Sequence, residues 1–224
     1  MEGIHITRVR ATNRSEAASA LARGELTLDG GSRLRDPSMG NLGLHQAHEM
    51  GVFTLGEVAC TMSHLRAMRR AHEAGQALAL IVEDDASFTH HSAWDVSLEA
   101  LASAAPVDWE VLQLHTNNIL FYNSSYCRAP CGATGSDLFV PWNSEMWSTL
   151  AYVINRAGMS KLLRLTANAT RLPREVAADL LIYNLTTTYT LARPLFSNIL
   201  DASTIQDRRA QKQGTDQVCR CPHA

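Results

Sequence analysis

No stretch of this chain approaches the roughly 20 consecutive apolar residues that a membrane-spanning helix requires. Its start, Met1-Glu2-Gly3-Ile4-His5, is neither a basic leader nor an apolar signal core. The sequence therefore shows no transmembrane segment and no signal peptide. It also lacks an excess of charge: 20 Lys and Arg, mostly Arg and scattered, stand against 22 Asp and Glu, a formal charge of -2. The basic footprint of a nucleic-acid binder is missing, so no nucleic-acid partner is expected. Internal repeats and low-complexity tracts are absent as well.

Cysteine is sparse, and where it stands excludes one chemistry. Cys127 and Cys131 flank a Pro-containing loop, Cys219 and Cys221 lie near the end, and Cys60 is left on a helix. The single-residue spacer in Cys219-Arg220-Cys221 is shorter than the two to four residues usual between zinc ligands, which argues against a four-thiolate zinc site. Disulfides are the better reading, with their pairing open and Cys60 acting as a small buried hydrophobe. Four acceptor sequons, beginning at Asn13, Asn123, Asn168 and Asn184, point the same way. Together they predict an oxidising ER or Golgi lumen of the secretory pathway.

At 224 residues the chain is long enough to bury about 70% of the surface its unfolded form exposes. One domain over residues 1–206, followed by a polar, Cys-containing tail over 207–224, accounts for the length. The most informative segment is Ala77-Leu78-Ala79-Leu80-Ile81-Val82-Glu83-Asp84-Asp85, six apolar residues running into three carboxylates. A run that short, apolar at odd and even positions alike, predicts a strand covered on both faces in a mostly parallel sheet. Its acids then sit at the strand's exit, where open α/β sheets bind ligands. Three carboxylates there repel one another unless a cation or ligand hydroxyls lie between them, so the segment predicts a hard-metal site.

The other elements follow from periodicity and caps. Ile4, Ile6 and Val9 predict a short strand, residues 15–23 a short helix, and residues 29–50 a long loop. Thr54-Leu55-Gly56-Glu57 matches a capping box and opens a helix whose apolar positions recur every 3.6 residues until Gly75 stops it. Helix 94–104, strand 108–115, strand 148–154, helix 157–165, helix 175–183 and strand 188–191 complete an α/β pattern. A response-regulator receiver, which also opens on an acid-tipped strand, asks for an Asp after the next strand and a later Lys-Pro. The next strand ends in Leu114-His115, and neither Lys161 nor Lys212 precedes Pro.

The ordered set Leu55-Gly56-Glu57-Val58-Ala59-Cys60-Thr61-Met62-Ser63-His64, Leu80-Ile81-Val82-Glu83-Asp84-Asp85, Ala151-Tyr152-Val153-Ile154-Asn155-Arg156-Ala157-Gly158 and Asp179 resembles glycosyltransferase family 25. That family includes lipooligosaccharide and procollagen galactosyltransferases. The resemblance implies a GT-A-like (Rossmann-like) mixed sheet flanked by helices, here N-terminally truncated because the family's first strand and helix have no counterpart. It implies a metal-dependent transfer, inverting in stereochemistry by family association, of galactose or glucose from a UDP-sugar to a glycan or protein hydroxyl. Mn²⁺ or Mg²⁺ would sit on Asp85 and Glu83, with Glu83 and Asp84 also facing the nucleotide sugar. Ser63 and His64 are implied to lie towards the nucleotide; Asn198 and Gln206, in the segment after the last predicted strand, could approach the diphosphate, although no local feature singles either out.

Collagen-type relatives place a late His on the metal, whereas here no His falls between His115 and His223, which implies fewer protein ligands. Inversion needs a base for the acceptor hydroxyl, and the resemblance points to Asp179 at a helix start, where the dipole favours the ionised form. Glu145, between Trp142 and Trp147, is the rival base, and the two indoles are either a sugar platform or core aromatics. The alternative to an enzyme is a catalytically inactive luminal module of the same fold that binds a glycan or a protein.

Overall fold

The computed structural model describes residues 6–29, 31–36, 44–88, 97–118, 138–173, 176–192 and 194–198. In chain order the elements begin with α1 (Arg14–Ala22), β1 (Thr27–Leu28), β2 (Arg33–Leu34), α2 (Leu44–Glu49), β3 (Val52–Phe53) and α3 (Leu55–Glu73). They continue with β4 (Leu78–Val82), β5 (Ala86–Ser87), α4 (Leu98–Ala104), β6 (Val111–Gln113), β7 (Phe139–Pro141) and β8 (Ala151–Asn155). The last are α5 (Arg156–Leu165), β9 (Arg171–Leu172), α6 (Ala178–Asn184), β10 (Thr188–Leu191) and β11 (Ser197–Asn198). The class is the expected one, α/β with a five-stranded mixed sheet flanked by helices. The chain divides into two compact units, residues 1–76 with 159–182 and residues 77–158 with 183–224.

The first unit is organised by α3. Its capping box forms as the sequence predicts: the Thr54 hydroxyl accepts from the Glu57 amide at 3.2 Å, and Glu57 accepts from the Thr54 amide at 2.7 Å. A second box closes α1, where Asn13 and Glu16 exchange the same pair of bonds at 2.9 Å each. The helix α1 packs on α3, and Val58, Ala59, Leu65 and Met68 line the buried side of α3. Gly75 adopts φ 76° just past the helix end, a left-handed turn that favours glycine.

The second unit carries the sheet, ordered β4-β8-β6-β10-β7. Only the β6–β10 pair is parallel; β4–β8, β8–β6 and β10–β7 are antiparallel. The expectation of a mostly parallel sheet with β4 covered on both faces is therefore corrected. Among the described strands β4 pairs only with β8, and Leu78 and Leu80 are 41% and 39% exposed. A short apolar run cannot distinguish a dry central strand from an edge strand with one covered face, because the residues are apolar at every position in both cases. The core of this unit gathers Leu112, Leu114, Ala151, Val153 and Leu191 from the sheet with Leu101 of α4 and Phe196.

Other expectations shift locally. The described residues 6–10 form no strand and Ile6 is exposed, while residues 1–5 lie outside the described set. The predicted loop over 29–50 contains β2 and α2, elements too short to show a period. Helix α4 starts at Leu98 on a Ser97 cap, with residues 91–96 outside the described set. No helix among the described residues is long and apolar enough to cross a membrane.

Candidate functional site

In the second unit the three acids turn the chain from β4 into β5. The Ala86 amide donates to the Glu83 carbonyl at 3.3 Å, closing a turn with Glu83, Asp84 and Asp85 at its first three positions. The Glu83 amide bonds the Leu150 carbonyl at 2.9 Å, which fixes the turn against the start of β8. On its other side β5 pairs with β11, with Asn198 opposite Ala86. Segments following β6 reach the same strands: His115 bridges the Phe196 carbonyl through Nδ1 at 2.9 Å and Asn117 Oδ1 through Nε2 at 3.0 Å. Asn198 Nδ2 donates to the same Asn117 oxygen at 3.3 Å.

This arrangement leaves two oxygens in an unusual state. Asp85 is only 8% exposed, and its Oδ1 is buried without a hydrogen-bond partner among the described residues. Asn198 Oδ1 is likewise buried and unpartnered, its NH₂ being committed to Asn117. Orphaned buried acceptors are rare and costly. Burial pushes the Asp85 carboxyl above its ordinary range, the Glu83 and Asp84 charges push it further, and its own backbone amide opposes them in part. Each of these two oxygens is a hard acceptor of the kind that Mg²⁺ or Mn²⁺ takes. Asp84 is exposed, and Glu83 is partly buried with its Oε1 accepting from the Thr149 hydroxyl at 2.6 Å.

Thr149 follows a distorted residue. Ser148 has φ 139°, its carbonyl accepts from Tyr183 Oη at 2.8 Å and Gln113 Nε2 at 3.0 Å, and its own hydroxyl accepts from the Leu150 amide at 3.2 Å. Glu145 lies on the preceding turn, exposed, with its carbonyl held by Asn118 Nδ2 at 3.0 Å. The two indoles flanking it differ. Trp142 packs against Tyr183, with centroids 5.6 Å apart, and donates to the Met146 carbonyl at 2.8 Å, whereas Trp147 is 43% exposed.

The remaining predicted residues belong to the first unit. Ser63 is committed within it: its hydroxyl donates to the Ala59 carbonyl and accepts from the Thr12 amide, both at 2.8 Å. His64 is buried on the same helix. Asp179 stands in the first turn of α6, its Oδ1 accepting from the Leu180 amide at 2.9 Å. Burial raises its pKa and outweighs the opposing Leu180 amide and His48 charge, while the Glu57 charge adds to the rise. The helix start thus does not leave this carboxyl easily ionised, contrary to the expectation from the dipole.

Residues 39–182, more than half of the chain, match the sequence model of the family described as glycosyltransferase family 25 (LPS biosynthesis protein). The chain belongs to glycosyltransferase family 25. It is accordingly a glycosyltransferase, with a donor and an acceptor substrate. No curated protein matches the chain.

For a family 25 glycosyltransferase, the acid turn was the legible part of the candidate site. Thr149, Asn117 and the pairing of His48 with Glu57 were not foreseen, because each depends on strand register or on a contact between separate elements. The only signal was Glu57 itself, read as a cap. Cys60 is a free thiol and half-buried instead of fully buried. Cys127, Cys131, Cys219, Cys221 and Gln206 lie outside the described residues, as does Asn123. The other sequon asparagines, Asn13, Asn168 and Asn184, are all exposed.

Proposed function

We propose that this glycosyltransferase is metal-dependent and moves a hexose, galactose or glucose, from a UDP-sugar to a hydroxyl of a glycan or glycoprotein with inversion at the transferred carbon. The observation that carries this reading is that Asp85 Oδ1, in the turn with Glu83 and Asp84, and Asn198 Oδ1, on the strand paired with β5, are both buried and unpartnered among the described residues. Asp85 and Asn198 would hold the cation, with Glu83 oriented by Thr149 as a further oxygen donor or as a partner of the donor's ribose hydroxyls. A divalent cation bound there supplies charge neutralisation for a departing diphosphate. Asp179 takes the proton of the acceptor hydroxyl. As the acceptor oxygen forms its bond to the sugar carbon, the bond from that carbon to the diphosphate oxygen breaks, and the nucleoside diphosphate leaves with the electron pair. Exposed Trp147 offers an aromatic face for a sugar ring, next to Glu145.

The test is transfer and donor hydrolysis with a panel of UDP-sugars, with and without Mn²⁺, for the wild type and Asp85→Asn. Turnover that requires the metal and falls by about 100-fold or more in the variant is the expected result, a loss of roughly 2.7 kcal/mol in transition-state stabilisation. Metal-independent turnover, or an Asp85→Asn enzyme of full activity, refutes it.

A further inference from the structure

The first unit holds a second group of titratable side chains, outside the acid turn. His48, near the end of α2, places Nε2 at 2.5 Å from Glu57 Oε1. The other oxygen of Glu57 is taken up by the cap, accepting from the Thr54 amide at 2.7 Å and the Thr54 hydroxyl at 2.9 Å. A capping box needs only that second oxygen, so the bond to His48 is additional to the helix start. The imidazole is stacked on buried Phe53, with centroids 5.3 Å apart and planes at 25°, and makes no other hydrogen bond among the described residues. A ring nitrogen that faces a carboxylate carries the proton, so Glu57 fixes both the orientation of His48 and its protonated Nε2.

Asp179 is the third member. A bond from the Thr61 hydroxyl to the Val176 carbonyl ties α3, one turn beyond Glu57, to the segment that opens into α6. The charged groups that act on Asp179 are His48 from α2 and Glu57 from α3, and those that act on His48 are Glu57 and Asp179. The Glu57 bond lifts the His48 pKa, burial opposes, and the Glu57 and Asp179 charges add to the rise. For Glu57, burial would raise the pKa, but the His48 bond, the two Thr54 bonds and the His48 charge together bring it below the ordinary range. The cluster thus joins His48 to the Glu57 carboxyl, which a helix cap also fixes, with Asp179 acting on both through its charge.

We propose that His48, locked by Glu57, is a positioning residue that compensates the negative charge of Asp179 while Asp179 serves as base to the acceptor hydroxyl. The inference rests on the reading of Asp179 as that base. A buried carboxylate accepts a proton usefully only if it is ionised beforehand, and a neighbouring imidazolium offsets the cost of that ionisation. The effect is reciprocal: His48 favours ionised Asp179, and ionised Asp179 favours protonated His48.

The experiment combines kcat/KM against pH for the wild type, His48→Gln, His48→Lys and Asp179→Asn with an NMR titration of His48 in the wild type and Asp179→Asn. Asp179→Asn is expected to lose about 100-fold or more in transfer. In His48→Gln the acid limb moves to higher pH, and His48→Lys, which keeps a cation, brings it part of the way back. His48 itself titrates at lower pH in Asp179→Asn than in the wild type. If Asp179→Asn is inactive but the limb stays in place in His48→Gln and the His48 titration does not move, the inference falls and the base survives. If Asp179→Asn is fully active, the base reading falls, and an unmoved His48 titration then rejects the coupling as well.

Discussion

Ser148 shows how a single residue can carry the geometry of a site. A side chain at φ 139° costs about 1–3 kcal/mol and persists only where neighbours over-determine it. Here Tyr183 and Gln113 hold its carbonyl and the Leu150 amide holds its hydroxyl, and the next residue, Thr149, is thereby set against Glu83. Glycine removes the strain at this φ and alanine does not. Ser148→Gly is therefore expected to be more stable than Ser148→Ala by about 1 kcal/mol, the reverse of the usual order of these residues. Urea unfolding of the two variants decides it, and an Ala variant at least as stable as the Gly variant shows that the strain is absent. At this scale the acid triplet was legible because the residues that carry its chemistry are consecutive. Thr149 was not, and Asn198 was named only by its position after the last strand, since what makes each matter is the strand or turn it lies opposite, which no local pattern encodes.

Among the elements, the motif Asn155-Arg156-Ala157-Gly158 that helped identify the family proves to be architectural. Asn155 ends β8 and caps α5: its Oδ1 accepts from the Gly158 amide at 2.9 Å and its Nδ2 donates to the Trp109 carbonyl at 2.5 Å. The helix start thereby lies hard against the approach to β6. A Cβ at Gly158 would sit 2.9 Å from the Glu110 carbonyl oxygen and 3.0 Å from Ile154 Cγ1. Backbone cannot give way as a flexible side chain does, so Gly158→Ala is expected to destabilise by about 1–3 kcal/mol although alanine is the better helix former. A thermal midpoint at or above that of the wild type contradicts the close packing. Helix α3 was readable because its capping box is contiguous with it. The edge position of β4 was not, because strand order is a property of the sheet, while the two-residue strands are too short to carry any period.

For the whole molecule, the shifted groups give stability a direction in pH. His48 is raised, so its contribution is fully present below the ordinary histidine range and is lost as pH rises through its folded value. Glu57 is lowered, so its contribution is present above the ordinary glutamate range and is lost as pH falls through its folded value. Asp85 and Asp179 are raised by burial, so each favours the fold while protonated and weighs against it once pH passes its folded value. Of these costs, only that of Asp85 can be relieved by a cation in the acid turn, because Asp85 alone stands there. Metal binds the ionised form, and the thermal gain from Mn²⁺ should therefore grow as pH rises from the ordinary carboxylate range towards 7.5. At 100 times the Kd it amounts to about 2.7 kcal/mol, or roughly 5–10 °C for a chain of this size. Asp85→Asn removes the buried charge, so without metal it should melt above the wild type at pH 7.5 and lose the response to Mn²⁺. Melting curves across this pH range for both proteins, with and without the ion, check both halves. A Mn²⁺ gain that is independent of pH, or is kept in Asp85→Asn, moves the cation away from the turn, because no other carboxyl there is both buried and left with an unpartnered oxygen.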